Sequence, residues 1–541
     1  FLSLRPGSLA FNPAAPRRLP FNSASDVLHR AATINPAPRR SRLWRARTRV
    51  ASQPPGDIDE SFGGAVPSYR GSLVVPAGDH FVRQHHTSRS GASSFFAPPF
   101  SLLGQGALQR LGNVVSESGA KRCLVVSQTK HLRDEDEKDV LKRLCKELFD
   151  AGTDAFIFSD VELNATTENV AAALLMAYEY DVDSIISAGG GSAHDVAKAV
   201  RALYRNPEQD AVQELVGVDE IAAGWIPAVP HFAVSTCMGA CSALTRLAVI
   251  TDPLHQETLE IVDWRITPSV SCDDTLLMLE QPREIIAAAG VESLAHACEA
   301  FLSNASTPVT DANALHAIRL LSSYLRAAVT STPKDTKALD MINYGMFLAG
   351  VSFNSAGLGL SHAIANALCA KYINLPSSEL LAVMLPHVLE FYGEQSEEMN
   401  DDAAELFVDL AEAMGCPKTS SPASAVKCVV QSVARLVSDV ELPQTLSEVN
   451  ARQSSTIMRI DDVPEIAAKA MCDCVPGVTS ARHPTLGEAE NFILQAWRTS
   501  KCGECGDAFI VDAVAKPEAN ETKKNETWVQ RYNWVGSDYV V

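Results

Sequence analysis

A short apolar segment that runs directly into three glycines constrains the fold more than any other feature of the sequence. The segment is Ser184–Ala188 (SIISA), and Gly189, Gly190, Gly191 and Ser192 follow it at once. A buried strand that ends in a glycine turn and opens a helix is typical of a parallel α/β sheet. Glycines at such a turn let the backbone approach a phosphate, and the first turn of a helix offers free N–H groups. A tight turn also requires glycine for structural reasons alone, so the loop by itself leaves both interpretations open.

Other segments extend this pattern in both directions. Lys121–Ser127 and Asp154–Phe158 have the length and composition of buried parallel strands, and Asp139–Leu148 between them has helical spacing. After about residue 280 the strand signals end, and apolar residues recur at helical spacing in Ile285–Leu302, Asp311–Val329, Leu339–Val351, Leu360–Cys369, Ala403–Met414 and Ala423–Val437. The sequence therefore predicts a parallel α/β sheet followed by an all-helical region.

The N-terminal segment differs from the rest in charge. Residues 1–50 hold ten Arg, no Lys and one acidic residue, Asp26. An arginine-rich, acid-poor start with Ser, Ala and Pro is typical of an organelle transit peptide, and a basic tail of the mature protein is the alternative. We interpret residues 1–92 as a transit peptide and flexible linker, which predicts a location in the mitochondrion or plastid. Residues 501–541 are charged, lack a clear period and are interpreted as a C-terminal extension.

Composition narrows the classes of partner. The net charge of −19 argues against nucleic acid. No uninterrupted apolar run reaches about 18 residues, so we expect no membrane span. The 13 cysteines are irregularly spaced, which favours reduced thiols in a reducing compartment. The pairs Cys472/Cys474 and Cys502/Cys505 leave a zinc knuckle or exposed free thiols open, although Cys-x-Cys is not a usual zinc spacing.

Several longer motifs resemble those of one enzyme family. Gly189–Lys198 (GGGSAHDVAK) is similar to the GGGSxxDxAK signature of the iron-containing alcohol dehydrogenases, and Ala287–Ala300 (AAAGVESLAHACEA) resembles that family's AATGMDALTHAIEA. Further matching segments follow in the family's order at Val262–Pro268, Thr307–Leu321, Ala349–Ala370 and Met384–Val388. The VDW sequence within the first of these and the stretch Asn374–Pro376 bring the chain nearest to the group that acts on methanol, short primary alcohols or diols.

The resemblance spans about residues 93–498 and has consequences for the fold. It implies a Rossmann-like nucleotide-binding domain over residues 93–279 and a helical metal and substrate domain over residues 280–500, as in the dehydroquinate synthase-like fold. The active site of that fold lies in the cleft between the two domains.

The resemblance also implies a cofactor, NAD or NADP. Its contacts would come from the glycine loop and from residues that match the family's motifs, namely Gln128, Asp195, Lys198, Thr236 and Ser242. Gln128 stands where the family has an Asp that bonds the adenosine ribose. That carboxylate repels a 2′-phosphate, so a neutral amide here predicts a weaker preference for NAD over NADP.

The family's metal ligands, one Asp and three His, are only partly matched. They correspond to Glu292, His296, His362 and Ser377, and a nearby family His assigned to proton relay corresponds to Asn366. A carboxylate and two imidazoles can hold iron or zinc and leave a position open, whereas a serine hydroxyl is a poor substitute for an imidazole. An amide has no useful pKa for acid–base work. The alternative is that His296 and His362 are ordinary core histidines.

Two functional hypotheses follow from these matches. The first is an NAD(P)-dependent and metal-dependent oxidoreductase that interconverts a small primary alcohol and its aldehyde, with His362 and Asn366 as candidate catalytic residues. The second is a non-catalytic family member that serves as a cofactor-binding or assembly subunit, because fold alone does not fix function. A homo-oligomer is compatible with either hypothesis.

Overall fold

The computed structural model describes residues 93–498, except for 129–139, 163, 240, 255–256, 280, 333, 373–374, 395–400, 418–420, 454–456 and 472–478. The segments predicted as transit peptide, linker and C-terminal extension therefore lie outside the described residues. Asn374 and the four cysteines considered as zinc ligands lie outside them as well.

Parallel strands form the main sheet of the first half. Their order across the sheet is β1-β9-β6-β4-β2-β3. Their bounds are Phe100–Leu103 (β1), Arg122–Gln128 (β2), Asp154–Val161 (β3), Ser184–Gly189 (β4), His231–Ser235 (β6) and Val270–Asp273 (β9). The three strands predicted from the sequence are thus the neighbours β2, β3 and β4. A smaller sheet contains Gly217–Val218 (β5), Leu247–Asp252 (β7) and Glu257–Val262 (β8), with β7 and β8 antiparallel.

Helices cover both faces of the main sheet, which explains why its strands are continuously apolar. Successive residues of β2 point to opposite faces. Leu124 and Val126 pack with Thr167–Glu179 (α3) and Gly191–Leu203 (α4), whereas Cys123 and Val125 pack with Ala107–Glu117 (α1) and Val140–Asp150 (α2). The sheet therefore separates two apolar layers.

The strands that follow β2 in sequence lie on opposite sides of it in the sheet. The next strand, β3, pairs with one edge of β2, and β4 then pairs with the other edge. In open parallel sheets, ligands bind outside the carboxyl ends of the strands at such a switch point. Gln128 ends β2 and Gly189 ends β4, so the glycine loop lies at the position that this rule identifies.

The second half is helical, as predicted, and within the described part of the chain no strand follows β9. A short helix, Thr275–Met278 (α5), leads into Arg283–Leu302 (α6), Pro308–Thr330 (α7), Thr336–Ala356 (α8), Leu360–Lys371 (α9), Ser377–Glu394 (α10), Asp401–Ala413 (α11), Pro422–Asp439 (α12), Leu446–Arg452 (α13), Val463–Met471 (α14) and Leu486–Arg498 (α15). The helices predicted from periodicity match α6–α9, α11 and α12. Capping residues outside the apolar stripe, such as Thr307 before α7 and Asp335 before α8, set where the observed helices begin.

Helix α6 lies in the apolar core of the helical half of the protein. Among the described residues it is the one helix long and apolar enough to cross a membrane, but 89% of its apolar window is buried inside the protein. Burial against other helices accounts for its composition, because a helix that is apolar all round belongs in a core or in a membrane.

The expectation of reduced thiols is wrong at one place, because Cys416 and Cys428 form a disulfide. Cys416 follows the turn at Gly415, which has a φ of 78°, and Cys428 lies on α12, which packs against α11. The chain turns after α11, and α12 then packs against that helix, so two cysteines 12 residues apart in sequence meet. The spacing of cysteines along the chain does not indicate which of them such a turn brings together.

Candidate active site

The glycine loop leaves the start of α4 open. Gly190 is the residue before the helix, and as a glycine it supplies no side chain to cap the first turn. A Cβ at Gly191 would meet nothing within 4 Å, whereas one at Gly189 would lie 2.7 Å from Cβ of Ala193. Gly189 is therefore required by packing, and Gly190 and Gly191 face a space that a phosphate group can approach.

Two neighbouring segments complete this cradle. The side-chain oxygen of Gln128 accepts a hydrogen bond from the Gly190 N–H at 3.2 Å. The Thr236 N–H donates to the Gly189 carbonyl at 3.1 Å, and a Cβ at Gly190 would lie 3.9 Å from Sγ of Cys237. The structure thus brings Gln128, Thr236 and the glycine loop together at the carboxyl ends of three adjacent strands.

Asp195, Lys198 and Ser242 form a buried polar network behind the loop. The Lys198 ammonium donates to the hydroxyls of Ser242 at 2.8 Å and Thr245 at 3.0 Å, and it lies 3.6 Å from Asp195. Burial lowers the pKa of Lys198 to about 8, although the Asp195 carboxylate opposes this shift, and burial raises the pKa of Asp195. This network holds α4 against the segment before β7. A direct cofactor contact by these three residues stays a prediction.

Helices α6 and α9 carry the residues that match the family's metal ligands. Glu292 and His296 are four apart on α6 and share one face. The ring of His296 stacks between those of Phe353, at a centroid distance of 4.3 Å, and His362, at 4.7 Å. Burial lowers the pKa of His296 well below its usual value and raises that of Glu292, the latter shift being opposed by His362.

A buried carboxylate from α6 contacts His362 and the start of α9. Glu299 accepts hydrogen bonds from Nδ1 of His362, from the Gly359 N–H at 2.9 Å and from the Ser361 N–H at 2.7 Å. Burial opposes ionisation of Glu299, but the interaction with His362 and the backbone hydrogen bonds outweigh it, and the pKa of the carboxyl is lowered. The Nε2 atom of His362 is buried without a hydrogen-bond partner among the described residues.

The chemistry of these groups fits a divalent cation. Imidazole nitrogens and a carboxylate are the ligands that iron and zinc take, and Nε2 of His362 is a buried nitrogen left for such a partner. Their placement does not yet form a metal site, because no three His, Cys, Asp or Glu side chains in the described ranges converge on one point. The rings of His296 and His362 are inclined by only 15°. Because nitrogen lone pairs lie in the ring plane, one ring must turn out of the stack before both can reach one ion.

The two remaining candidates lie at the surface. Ser377 is exposed at the start of α10, and among the described residues no hydrogen bond joins its hydroxyl to Glu292, His296 or His362. Asn366 is exposed on α9, one turn after His362. Ser377, the residue predicted to match the family's third histidine, therefore brings no imidazole to the start of α10.

Glu299 is a residue of the candidate site that the sequence analysis did not single out. It lies seven residues after Glu292 and three after His296, so all three lie on one face of α6. That spacing was a usable signal within a segment already matched to the family. Its partner on α9, 63 residues further along the chain, could not be read from spacing.

Comparison with known proteins decides the family. The model described as "Iron-containing alcohol dehydrogenase" matches residues 98–275, and "Fe-containing alcohol dehydrogenase family, C-terminal" matches residues 286–493. The chain belongs to the iron-containing alcohol dehydrogenase family. Its members are oxidoreductases, and the predicted fold and enzyme class are confirmed.

Individual relatives of the iron-containing alcohol dehydrogenase family cover most of this chain. The 1,3-propanediol dehydrogenase of Citrobacter freundii is 34% identical over 70% of this chain and 92% of its own length. The NAD-dependent methanol dehydrogenase of Bacillus methanolicus is 31% identical over 67% of this chain and 90% of its own length. The crystal structure of a 1,3-propanediol oxidoreductase superimposes with a TM-score of 0.68 at 32% identity, covering 75% of this chain and all of that protein.

Proposed function

We propose that this chain interconverts a small primary alcohol and its aldehyde by hydride transfer to or from a nicotinamide dinucleotide, at a site whose metal ligands differ from the family's. The observation that carries this proposal is the open glycine loop at the carboxyl ends of β2 and β4. The backbone N–H groups at the start of α4 and the positive end of its dipole favour a diphosphate there. Relatives named for methanol and 1,3-propanediol indicate a short, polar alcohol as the substrate.

The cofactor can be NAD or NADP. Gln128 carries no charge, so it does not repel a 2′-phosphate as a carboxylate at the end of the same strand would. Its side-chain oxygen accepts from the Gly190 N–H, which leaves its amide N–H groups to donate to a ribose hydroxyl or a phosphate oxygen.

Glu292, His296 and His362 are the residues that would hold a divalent cation, either iron or zinc. When bound, such an ion polarises the alcohol oxygen and lowers the pKa of the hydroxyl. Glu299 holds His362 in place, and the apolar packing of Phe353 against His296 excludes water from one side of the pair. Three ligands of which two are stacked should bind an ion more weakly than four converging ones.

A specific observation also supports the second candidate function, a non-catalytic cofactor-binding subunit. Ser377 is exposed and the two imidazoles stack instead of converging. The two candidates share dinucleotide binding and differ in whether added metal produces alcohol oxidation.

The test is to restore the family's ligand set with the double variant Glu292→Asp, Ser377→His. Metal content is measured by elemental analysis after loading with iron or zinc, and activity by alcohol-dependent reduction of NAD and NADP. Ser323→His, on the exposed surface of α7, is the matched control for adding a histidine.

We expect the parent protein to be weakly active and dependent on added metal, and the double variant to bind about one ion per chain with higher activity. Tight stoichiometric metal and rapid turnover in the parent would mean that Glu292, His296 and His362 already form a complete site. Dinucleotide binding without activity in either protein would support the non-catalytic function.

A further inference from the structure

The start of α9 has no cap of its own. Gly359 precedes the helix and offers no side chain, so its first N–H groups depend on other parts of the chain. Glu299 of α6 supplies the acceptors for the Gly359 and Ser361 N–H groups, and the phenol oxygen of Tyr392 on α10 accepts from the Leu360 N–H at 3.2 Å.

The contact between Glu299 and α9 is unusually close. A Cβ at Gly359 would lie 3.0 Å from Cδ of Glu299 and 3.1 Å from its Cγ. Glycine at this position therefore lets the carboxylate reach the helix end. An acidic group is favoured there by the helix dipole, and three N–H donors replace the water that the buried carboxylate has lost.

One of those donors is Nδ1 of His362, which has a direct consequence for the ring. In a neutral imidazole one nitrogen carries the proton and the other carries a lone pair. A proton held on Nδ1 by Glu299 leaves the lone pair on Nε2, which is the buried nitrogen without a hydrogen-bond partner. The same carboxylate–histidine arrangement orients metal-binding histidines in proteins generally.

We propose that Glu299 is a positioning residue that fixes the tautomer and direction of His362, so that Nε2 faces the metal and substrate side of the site. The part of this inference in which Nε2 faces a metal rests on the proposed function. The tautomer does not, because it is set by hydrogen bonds within this chain.

The first measurement uses the parent protein with ¹⁵N-labelled histidine. The ring resonances of His362 are assigned by their loss in His362→Gln. We expect Nδ1 to carry a proton and Nε2 to carry none at pH 8 in the absence of metal. A protonated Nε2 would overturn the proposal, whether or not the protein binds metal or has activity.

The second measurement compares Glu299→Gln with Tyr392→Phe, the matched control that removes an α9 cap without touching His362. A glutamine has one oxygen in place of two, so its NH₂ group must face an N–H donor. Both variants should lower the thermal midpoint. Glu299→Gln should also produce mixed tautomers and weaken zinc affinity, measured calorimetrically, by about 10–100-fold, while Tyr392→Phe changes it by less than about twofold.

These outcomes separate the two proposals. If the parent protein takes up no zinc, the metal part of the proposed function fails, and the tautomer of His362 alone decides the role of Glu299. Equal losses of zinc affinity in Glu299→Gln and Tyr392→Phe would mean that Glu299 only stabilises the helix start, and would overturn the positioning role.

Discussion

Acidification should destabilise this protein through two histidines buried beneath the glycine loop. Ser187 of β4 places its hydroxyl 2.7 Å from Nδ1 of His194 on α4 and 2.8 Å from Nε2 of His231 on β6. The hydroxyl donates one hydrogen bond and accepts the other. The remaining ring nitrogens, His194 Nε2 and His231 Nδ1, are buried without partners among the described residues. Protonation of either ring would therefore leave a buried N–H without an acceptor.

The magnitude follows from the pKa of His194, which burial lowers from 6.5 to about 3, with Lys198 adding to the shift. Between these values the unfolded chain binds a proton and the folded protein does not. The stability that this neutral histidine contributes is therefore fully present above pH 6.5 and is lost as the pH falls. At about 1.4 kcal/mol per pH unit, the loss between pH 6.5 and 4 is about 3 kcal/mol.

The assay is urea unfolding of the parent protein and of His194→Gln at several pH values between 7 and 4. Between pH 6.5 and 4, the free energy of unfolding of the parent should fall by about 3 kcal/mol more than that of the variant. Asp273, whose pKa burial raises to about 6, acts in the opposite direction but cancels in the comparison. The exposed His316 provides the control variant His316→Gln, which should behave as the parent does. Parallel pH profiles for the parent and His194→Gln would refute the reasoning.

Three further predictions concern the cofactor cradle and the disulfide. Gly190→Val should abolish NADH and NADPH binding in a fluorescence titration but leave folding intact, because a Cβ there meets nothing closer than 3.4 Å. The control is Gly487→Val, in open space on α15. Unchanged cofactor binding by Gly190→Val would make the loop a purely structural turn. Gln128→Asp should shift the ratio of dissociation constants towards NAD, and equal NADPH affinity before and after would count against this placement. Cys416→Ser should destabilise the native protein by about 2–4 kcal/mol relative to the oxidised parent, and an equal loss on reducing the parent with dithiothreitol would attribute that loss to the bond with Cys428.

Local sequence patterns predicted the elements well where one physical signal dominates. The apolar segment at 184–188 became β4, because burial on both faces of a sheet leaves a continuous apolar run. The helical spacing at 360–369 became α9, because burial of a helix face leaves its period in the sequence. The strands β6 and β9 were not singled out. Each is only four or five residues long and carries polar residues such as His231 and Asp273, so its apolar signal is weak.

The sequence predicted positions for a candidate site but not the contacts between them. The motifs identified Glu292, His296 and His362, yet the stacking of the two imidazoles depends on how α6 packs against α9. The bond between Gln128 and the Gly190 N–H likewise depends on the adjacency of β2 and β4. Such contacts arise from tertiary packing, which the spacing of residues along one element does not contain.

The two halves of the site differ in what their chemistry requires of the sequence. A glycine loop binds phosphate through backbone N–H groups, so it tolerates substitution of the side chains around it as long as Gly190 and Gly191 remain open. A metal site depends on the identity and direction of each side chain, so a change at one ligand alters affinity without disturbing the fold. In this chain the glycines of the backbone-based half are present, whereas the predicted substitutions relative to the family fall on side chains, at Gln128, Glu292 and Ser377. Dinucleotide binding and metal-assisted chemistry should therefore be separable here. The first depends on the open glycine loop at the start of α4, and the second depends on Glu292, His362 and the carboxylate of Glu299 that orients it.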